Sequence, residues 1–258
     1  MLIVILMAPI AFGMFAMTIC LPSMQEWGAI FGASQASVQL TFSAYVLMFG
    51  SMQLVYGPLS DRYGRKKILL IGLALALLGS ALAALAPTLP LLTAARMVQG
   101  AGSAAGMVIG RSMVQDFFEG PERTRVMAYF GMLLGLGPPL ATIVGGQLHV
   151  RLGWQSNFVL IALLAAVLMF SVWRSLPDIR KPAPAAHDHW LAGMLKAYAR
   201  LAAEGRFRLY VVGSAKFAFK NPRPPRTPKS VFRPRSFSRS IRACVAPVFA
   251  REAYMTPP

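Results

Sequence analysis

A chain of 258 residues with 56% hydrophobic and 14% charged side chains, and a mean hydropathy of +0.54, lacks the composition of a soluble domain, where about a quarter of residues are charged. Its apolar residues fall in blocks of about 20, the length a helix needs to cross roughly 30 Å of hydrocarbon. The formal charge of +17 is uneven, because residues 216–258 carry ten Lys/Arg against Glu252 alone, so this tail needs an account separate from that of the apolar part.

Six apolar spans follow one another, at about 2–22, 38–57, 68–86, 89–112, 126–148 and 157–175. The first holds no charge up to Gln25 and has no basic leader, so it reads as a membrane helix rather than a cleaved signal. Pro22 and Gly32 punctuate the first connection, Pro87 and Pro90 the third, and Gly120-Pro121 the fourth. Lys and Arg cluster after spans two (Arg62, Arg65, Lys66, Lys67) and four (Arg111, Arg123, Arg125), with Arg151 alone after span five. By the positive-inside rule both ends of the six-span unit, the amino-terminus included, face the cytoplasm. Cys20 and Cys244 then lie on opposite sides of the membrane and are not expected to pair.

Beyond Trp173-Arg174 the pattern changes. Trp190, Leu191, Met194, Leu195, Tyr198 and Leu201 recur at helical spacing, either as an amphipathic helix on the membrane surface or as a solvated loop helix. Leu209 to Ala215 opens like a seventh span, which Lys216, Lys220 and a run of prolines then stop. The expected organisation is a six-helix bundle at 1–175, a cytoplasmic loop at 176–207, a seventh-helix start at 208–215 and a disordered basic tail at 216–258. For the tail three readings stand: an out-of-frame extension, a lipid-headgroup binder or a nucleic-acid binder. The first is favoured by the abrupt loss of apolar pattern, and nucleic acid is the least favoured.

The spans also repeat. Gly57-Pro-Leu59-Ser-Asp-Arg62-Tyr-Gly64 and Gly146-Gln-Leu148-His-Val-Arg151-Leu-Gly153 share G-x-L-x-x-R-x-G, 89 residues apart, each after the second helix of a triplet. Three is an odd number of crossings, so the second triplet is inverted in the membrane relative to the first. In the first copy, Gly57 and Gly64 are expected to allow close approach or positive φ. Asp61 is expected to cap the next helix or to pair with a nearby arginine.

The sequence Gly57-Pro-Leu-Ser-Asp61-Arg62-Tyr-Gly64-Arg65-Lys-Lys67 resembles the loop signature of the major facilitator superfamily. Gln39-Leu-Thr41-x-Ser43-Ala-Tyr45 before it, and Arg96-Met-Val-Gln99-Gly100 after it, resemble the Bcr/CflA drug-resistance subfamily. The resemblance covers residues 1 to about 215. It implies an all-α membrane protein of the bacterial inner membrane, with the 3+3 inverted-repeat bundle that forms the amino-terminal half of such transporters. It further implies proton-driven export of drugs or other small molecules by alternating access. Members often carry an acid just before the Leu-Pro pair of the first helix; here Thr18-Ile19-Cys20 precede Leu21-Pro22, and no Asp or Glu lies in any span.

On this basis Arg96 and Gln99 are the expected coupling or substrate positions. Gly57, Asp61, Arg62, Gly64, Arg65 and Asp116 form the expected gating loop, with Arg65 bridging to Asp116. Gly137, Pro138 and Pro139 are expected to kink span five, and Met14, Met17 and Tyr45 to line an adaptable apolar site. Gly102, Gly106 and Gly110 look like one close-packing face, matched by Gly72, Ala76, Ser80 and Ala84 on span three. No nucleophile–base set or phosphate loop occurs, and His187-Asp188-His189 reads as solvated rather than metal-binding, so neither catalysis nor a cofactor is expected. The expected partners are a small-molecule substrate, protons, the lipid bilayer, and a second copy of the chain or a separate second half. The competing reading is a non-transporting membrane remnant or assembly partner.

Overall fold

The structure, a computed structural model, describes residues 2–176. All the elements in them are helical: α1 (Leu2–Thr18), a short α2 (Met24–Ile30), α3 (Gln35–Tyr63), α4 (Arg65–Ala84), α5 (Leu89–Phe117), α6 (Gly120–Leu152) and α7 (Gln155–Ser175). The surface helix, the seventh-helix start and the basic tail expected after Leu176 lie outside the described residues.

Each expected span becomes a helix, but the helices outrun the apolar stretches. The 29 residues of α3 and α5 reach about 44 Å at 1.5 Å per residue, well past the hydrocarbon. α3 continues through Gly57–Tyr63, so the expected loop is helical and the chain reverses at Gly64 alone, where φ is +97°. α5 likewise carries Arg111 and Asp116 inside its last two turns. Backbone hydrogen bonding does not stop where hydropathy does.

The inverted repeat is visible in the packing. α1, α3 and α4 form one triplet and α5, α6 and α7 the other, and contacts come in matched pairs. α3 packs on α5 as α6 packs on α1, α4 on α5 as α7 on α1, and α3 on α4 as α6 on α7. The α1–α5 and α4–α7 contacts each join equivalent helices and lie on the pseudo-twofold. The G-x-L-x-x-R-x-G copies obey the same relation: Gly64 (φ +97°) and Gly153 (φ +83°) each end the second helix of its triplet.

By length and apolarity α3, α4, α6 and α7 are each long and apolar enough to cross a membrane. α1 has 17 residues, and α5 carries Arg96, Gln99, Arg111 and Asp116. α5 tolerates Arg96 and Gln99 because other helices, not lipid, surround its middle: α1, α3 and α4 all pack against it, and 16 of its residues are buried, whereas Arg111 is exposed near its end.

Glycines set how closely α5 is held, and the expected single face divides between two neighbours. A β-carbon at Gly102 would overlap the Ala76 backbone nitrogen of α4, whereas one at Gly106 would overlap the Pro9 carbonyl of α1. Gly131 and Gly135 on α6 meet nothing within 4 Å. Gly102→Ala is therefore expected to destabilise by about 1–3 kcal/mol, the usual range for overpacking. Gly135→Ala should stay within about 0.5 kcal/mol. Thermal melting of the purified chain in detergent separates the two.

Candidate functional site

Arg96, Gln99 and Tyr45 are fully buried at the crossing of α1, α3, α4 and α5. Arg96 Nη1 donates to Gln99 Oε1 at 2.6 Å and to the Ala16 carbonyl at 3.0 Å, and Nη2 donates to the Met17 carbonyl at 3.5 Å. Ala16 and Met17 stand in the last turn of α1, where carbonyls lack helical donors and the helix dipole places about half a negative charge. The guanidinium thus caps α1. Its carbon also sits 4.2 Å from the Tyr45 ring centroid and 5.8 Å from that of Phe158, adding cation–π attraction in a desolvated setting.

The network then crosses to α4. Gln99 Nε2 donates to Ser80 Oγ at 2.8 Å, and Ser80 Oγ donates to the Ala76 carbonyl at 2.6 Å. Tyr45 Oη donates to the Gly13 carbonyl of α1 at 3.2 Å. Among the described residues no Asp or Glu is buried, so helix-end carbonyls and aromatic faces, not a carboxylate, offset this buried cation.

A second cluster lies at the other end of α5. Arg65 Nε donates to Asp116 Oδ2 at 2.5 Å, its Nη2 lies 2.9 Å from Asp61 Oδ1, and Nη1 donates to Ser60 Oγ at 3.3 Å. Asp61 does not cap α4. It stands on the last turn of α3, the N-cap is Gly64, and the carboxylate reaches across the reversal to Arg65. Gly57 likewise provides neither positive φ nor a close approach, since it is helical with nothing within 4 Å. Arg62 stacks over the Tyr63 ring at 5.6 Å. Lys66 Nζ donates to the Leu176 carbonyl at 2.6 Å, so the ends of α3, α5 and α7 meet on one side of the bundle.

The opposite side is joined by His149 of α6, whose Nε2 lies 3.1 Å from Glu26 Oε2 on α2. Asn157 Nδ2 also donates to Ser23 Oγ at 3.4 Å. Trp27 packs edge-on to Trp154 and stacked on Phe158 there. α2 and this aromatic cluster are not among the expected elements; the apolar pair Met24 and Trp27, one turn apart, is the sequence signal for them, and both are buried.

The remaining expected positions are spread out. α6 stays helical through Gly137, Pro138 and Pro139. The two prolines deprive the Leu134 and Gly135 carbonyls of their amide donors, while Thr142 Oγ1 donates to the Pro138 carbonyl at 2.9 Å. Met14 and Met17 are half-buried on α1, and Tyr45 is enclosed beneath Arg96. Among the described residues no cluster of three His, Cys, Asp or Glu is placed to hold a metal.

Two inverted helix triplets, apolar outside and threaded by a buried guanidinium network, define a multi-pass membrane protein built on an inverted three-helix repeat. The chain belongs to the Major Facilitator Superfamily, whose family model matches residues 2–253. It is 29% identical over 211 residues to Multidrug resistance protein D of Escherichia coli, covering 82% of this chain and 52% of that protein. Over 157 residues it is 31% identical to Multidrug resistance protein MdtL of Escherichia coli, covering 60% and 40% of the two chains. A chloramphenicol resistance protein of Pseudomonas aeruginosa is 29% identical over 165 residues, covering 64% and 39%. The chain therefore spans about half the length, or less, of these curated relatives. The crystal structure of the peptide transporter POT in complex with sulfate shares the fold at a TM-score of 0.62 and 18% identity, over 84% of this chain and 45% of that one.

Proposed function

We propose that this chain supplies one six-helix side of a proton-coupled exporter of drugs or other small molecules, working by alternating access in the bacterial inner membrane. The observation that carries the reading is Arg96, a fully buried cation with no acidic partner among the described residues, held by the end of α1, by Gln99 and by Tyr45. A buried charge is costly in a membrane bundle and is kept where substrates or ions pass. The relatives named as drug-resistance proteins supply the substrate class.

Alternating access requires a second side. α3 exposes Leu40, Leu47 and Leu54 at seven-residue spacing, and α6 exposes Met132, Leu136, Leu140 and Ile143. Gly50 and Gly57, and Gly131 and Gly135, leave room on the same two helices for another helix to approach. A second copy or a separate half would cover these faces. The cations at the α3–α4 reversal (Arg62, Arg65, Lys66, Lys67) and around the α5–α6 reversal (Arg111, Arg123, Arg125) favour a cytoplasmic amino-terminus.

An efflux assay in a drug-sensitive host tests this. The chain is expected to raise resistance above the empty vector, and Arg96→Ala to return it to that baseline. Equal resistance in all three, with the protein present in the membrane, favours the non-transporting remnant or assembly partner. Reading the gene one nucleotide out of phase from about codon 215 separates the two origins, because a truncated transporter would show further apolar spans there.

A further inference from the structure

The outward groove between α4 and α7 ends in basic residues that the transport reading does not use. Leu70, Ile71 and Ala74 of α4 and Met169, Phe170 and Trp173 of α7 line a groove of 430 Å³. Phe170 and Trp173 remain 63% and 61% exposed. α4 starts, and α7 finishes, at the end of the bundle where Lys66 meets the Leu176 carbonyl. Lys67 lies one turn before Ile71 on the same stripe of α4, and Arg174 one turn after Phe170 on α7, so both cations stand at the mouth of the groove.

The neighbouring cations are engaged. Arg65 is held by Asp61 and Asp116, and Lys66 by the Leu176 carbonyl. Lys67 and Arg174 are exposed and make no hydrogen bond or ion pair with the described residues. Neither α4 nor α7 contains a single Asp or Glu, so no acid on these helices competes for the two cations. An apolar slot that opens onto two cations unpaired among the described residues, beside an indole, matches one kind of molecule: an apolar chain with an anionic head at the membrane surface. Trp rings favour that headgroup level, and long basic side chains extend toward it. Basic pockets between membrane helices bind anionic headgroups in the same way.

We propose that the α4–α7 groove is a binding site for an anionic phospholipid, with an acyl chain along Leu70, Ile71, Ala74, Met169, Phe170 and Trp173 and the phosphate between Lys67 and Arg174. The proposal rests on the membrane reading of the fold but not on transport, so it stands or falls independently of the efflux result.

The test uses the full chain in phosphatidylcholine vesicles, with Trp190→Phe so that emission comes from Trp27, Trp154 and Trp173. Trp27 and Trp154 are buried at the far side of the bundle, which leaves Trp173 as the reporter; Trp173→Phe verifies the source of the signal. Brominated-chain phosphatidylglycerol is expected to quench severalfold more than brominated-chain phosphatidylcholine at the same mole fraction. Lys67→Gln with Arg174→Gln should abolish that excess. Arg123→Gln with Arg125→Gln, an equal loss of charge on α6, should leave it intact. Equal quenching by the two lipids overturns the proposal, as does an excess that survives Lys67→Gln/Arg174→Gln. So does an excess lost equally in the α6 control, which would mean general surface charge. Shielding of Trp173 from both lipids also overturns it, because protein would then cover the groove.

Discussion

Exchanging Arg65 and Asp116 for one another is expected to rescue, and with one further change to exceed, the stability of the parent chain. The two side chains are only 11% and 12% exposed and meet at 2.5 Å. Each stands at the wrong end of its helix. Arg65 opens α4, where the dipole is positive, and Asp116 sits in the last turn of α5, where it is negative. Each charge is unfavourable alone, and the partner is what makes it tolerable. Asp116→Ala leaves Arg65 paired with Asp61 at 2.9 Å but still at the adverse end of the α4 dipole, and Arg65→Ala removes both ion pairs at once, so each single variant should cost about 1–3 kcal/mol.

In the exchanged pair, Arg65→Asp with Asp116→Arg, the ion pair is rebuilt with both dipole terms favourable. One repulsion is new, since Asp61 lies 2.9 Å from Arg65 today and would face a carboxylate instead. Adding Asp61→Asn removes it. Thermal melting in detergent should rank the exchanged pair with Asp61→Asn highest, the exchanged pair near the parent, and the single variants lowest. A double variant no better than the singles would show that the contact does not hold α4 to α5. If the bridge also closes the cytoplasmic side during transport, the tighter exchanged pair should slow efflux while raising stability.

How much of this was legible beforehand differs by kind of interaction. The bridge could be anticipated because Asp116 is the one acid between Ala101 and Phe118 and charges at adjacent helix ends seek each other. The inverted repeat could be anticipated because two glycines needed for the same reversal, Gly64 and Gly153, recur with their flanking Leu and Arg. Helix ends were less legible. Hydropathy falls at Gly57, but α3 runs to Tyr63 because its last turns are hydrogen-bonded in water as well as in lipid. Asp61 consequently lies on α3 rather than at the start of α4.

Long-range partners without a sequence signature were not legible. α2 is seven residues long, too short for a periodic pattern, and it is fixed by Trp154 and Phe158 more than 120 positions away. The glycine stripe of α5 was legible as close packing, but not as two contacts, because a four-residue step turns about 40° round the helix and passes from α4 to α1. Arg96 was legible as buried, but its partners are backbone carbonyls, which every residue carries.

That capping role makes the second large prediction specific. Removing Arg96 takes a charged donor from the buried Ala16 carbonyl and Gln99 side chain, and a longer bond from the half-buried Met17 carbonyl. Hydrogen bonds to charged groups are worth about 1.5–3 kcal/mol, and truncation also empties the space above the Tyr45 ring. Against this stands the relief of desolvating a cation, which for a residue lacking an acidic partner is substantial. The dipole end of α1 and the ring faces already recover much of that relief, so the lost bonds are expected to win, and Arg96→Ala to lower stability by about 2–4 kcal/mol. Arg96→Lys keeps the charge at the α1 terminus but, as a point donor, cannot serve two carbonyls and an amide in one plane, and should fall between. Arg96→Met separates the terms, because it restores volume without charge or donors. If Arg96→Met melts higher than the parent, desolvation outweighs capping and the residue is retained for function at a cost in stability. If it melts lower than Arg96→Lys, the guanidinium holds the end of α1 in place, and any loss of efflux in Arg96→Ala has to be judged against a loosened α1.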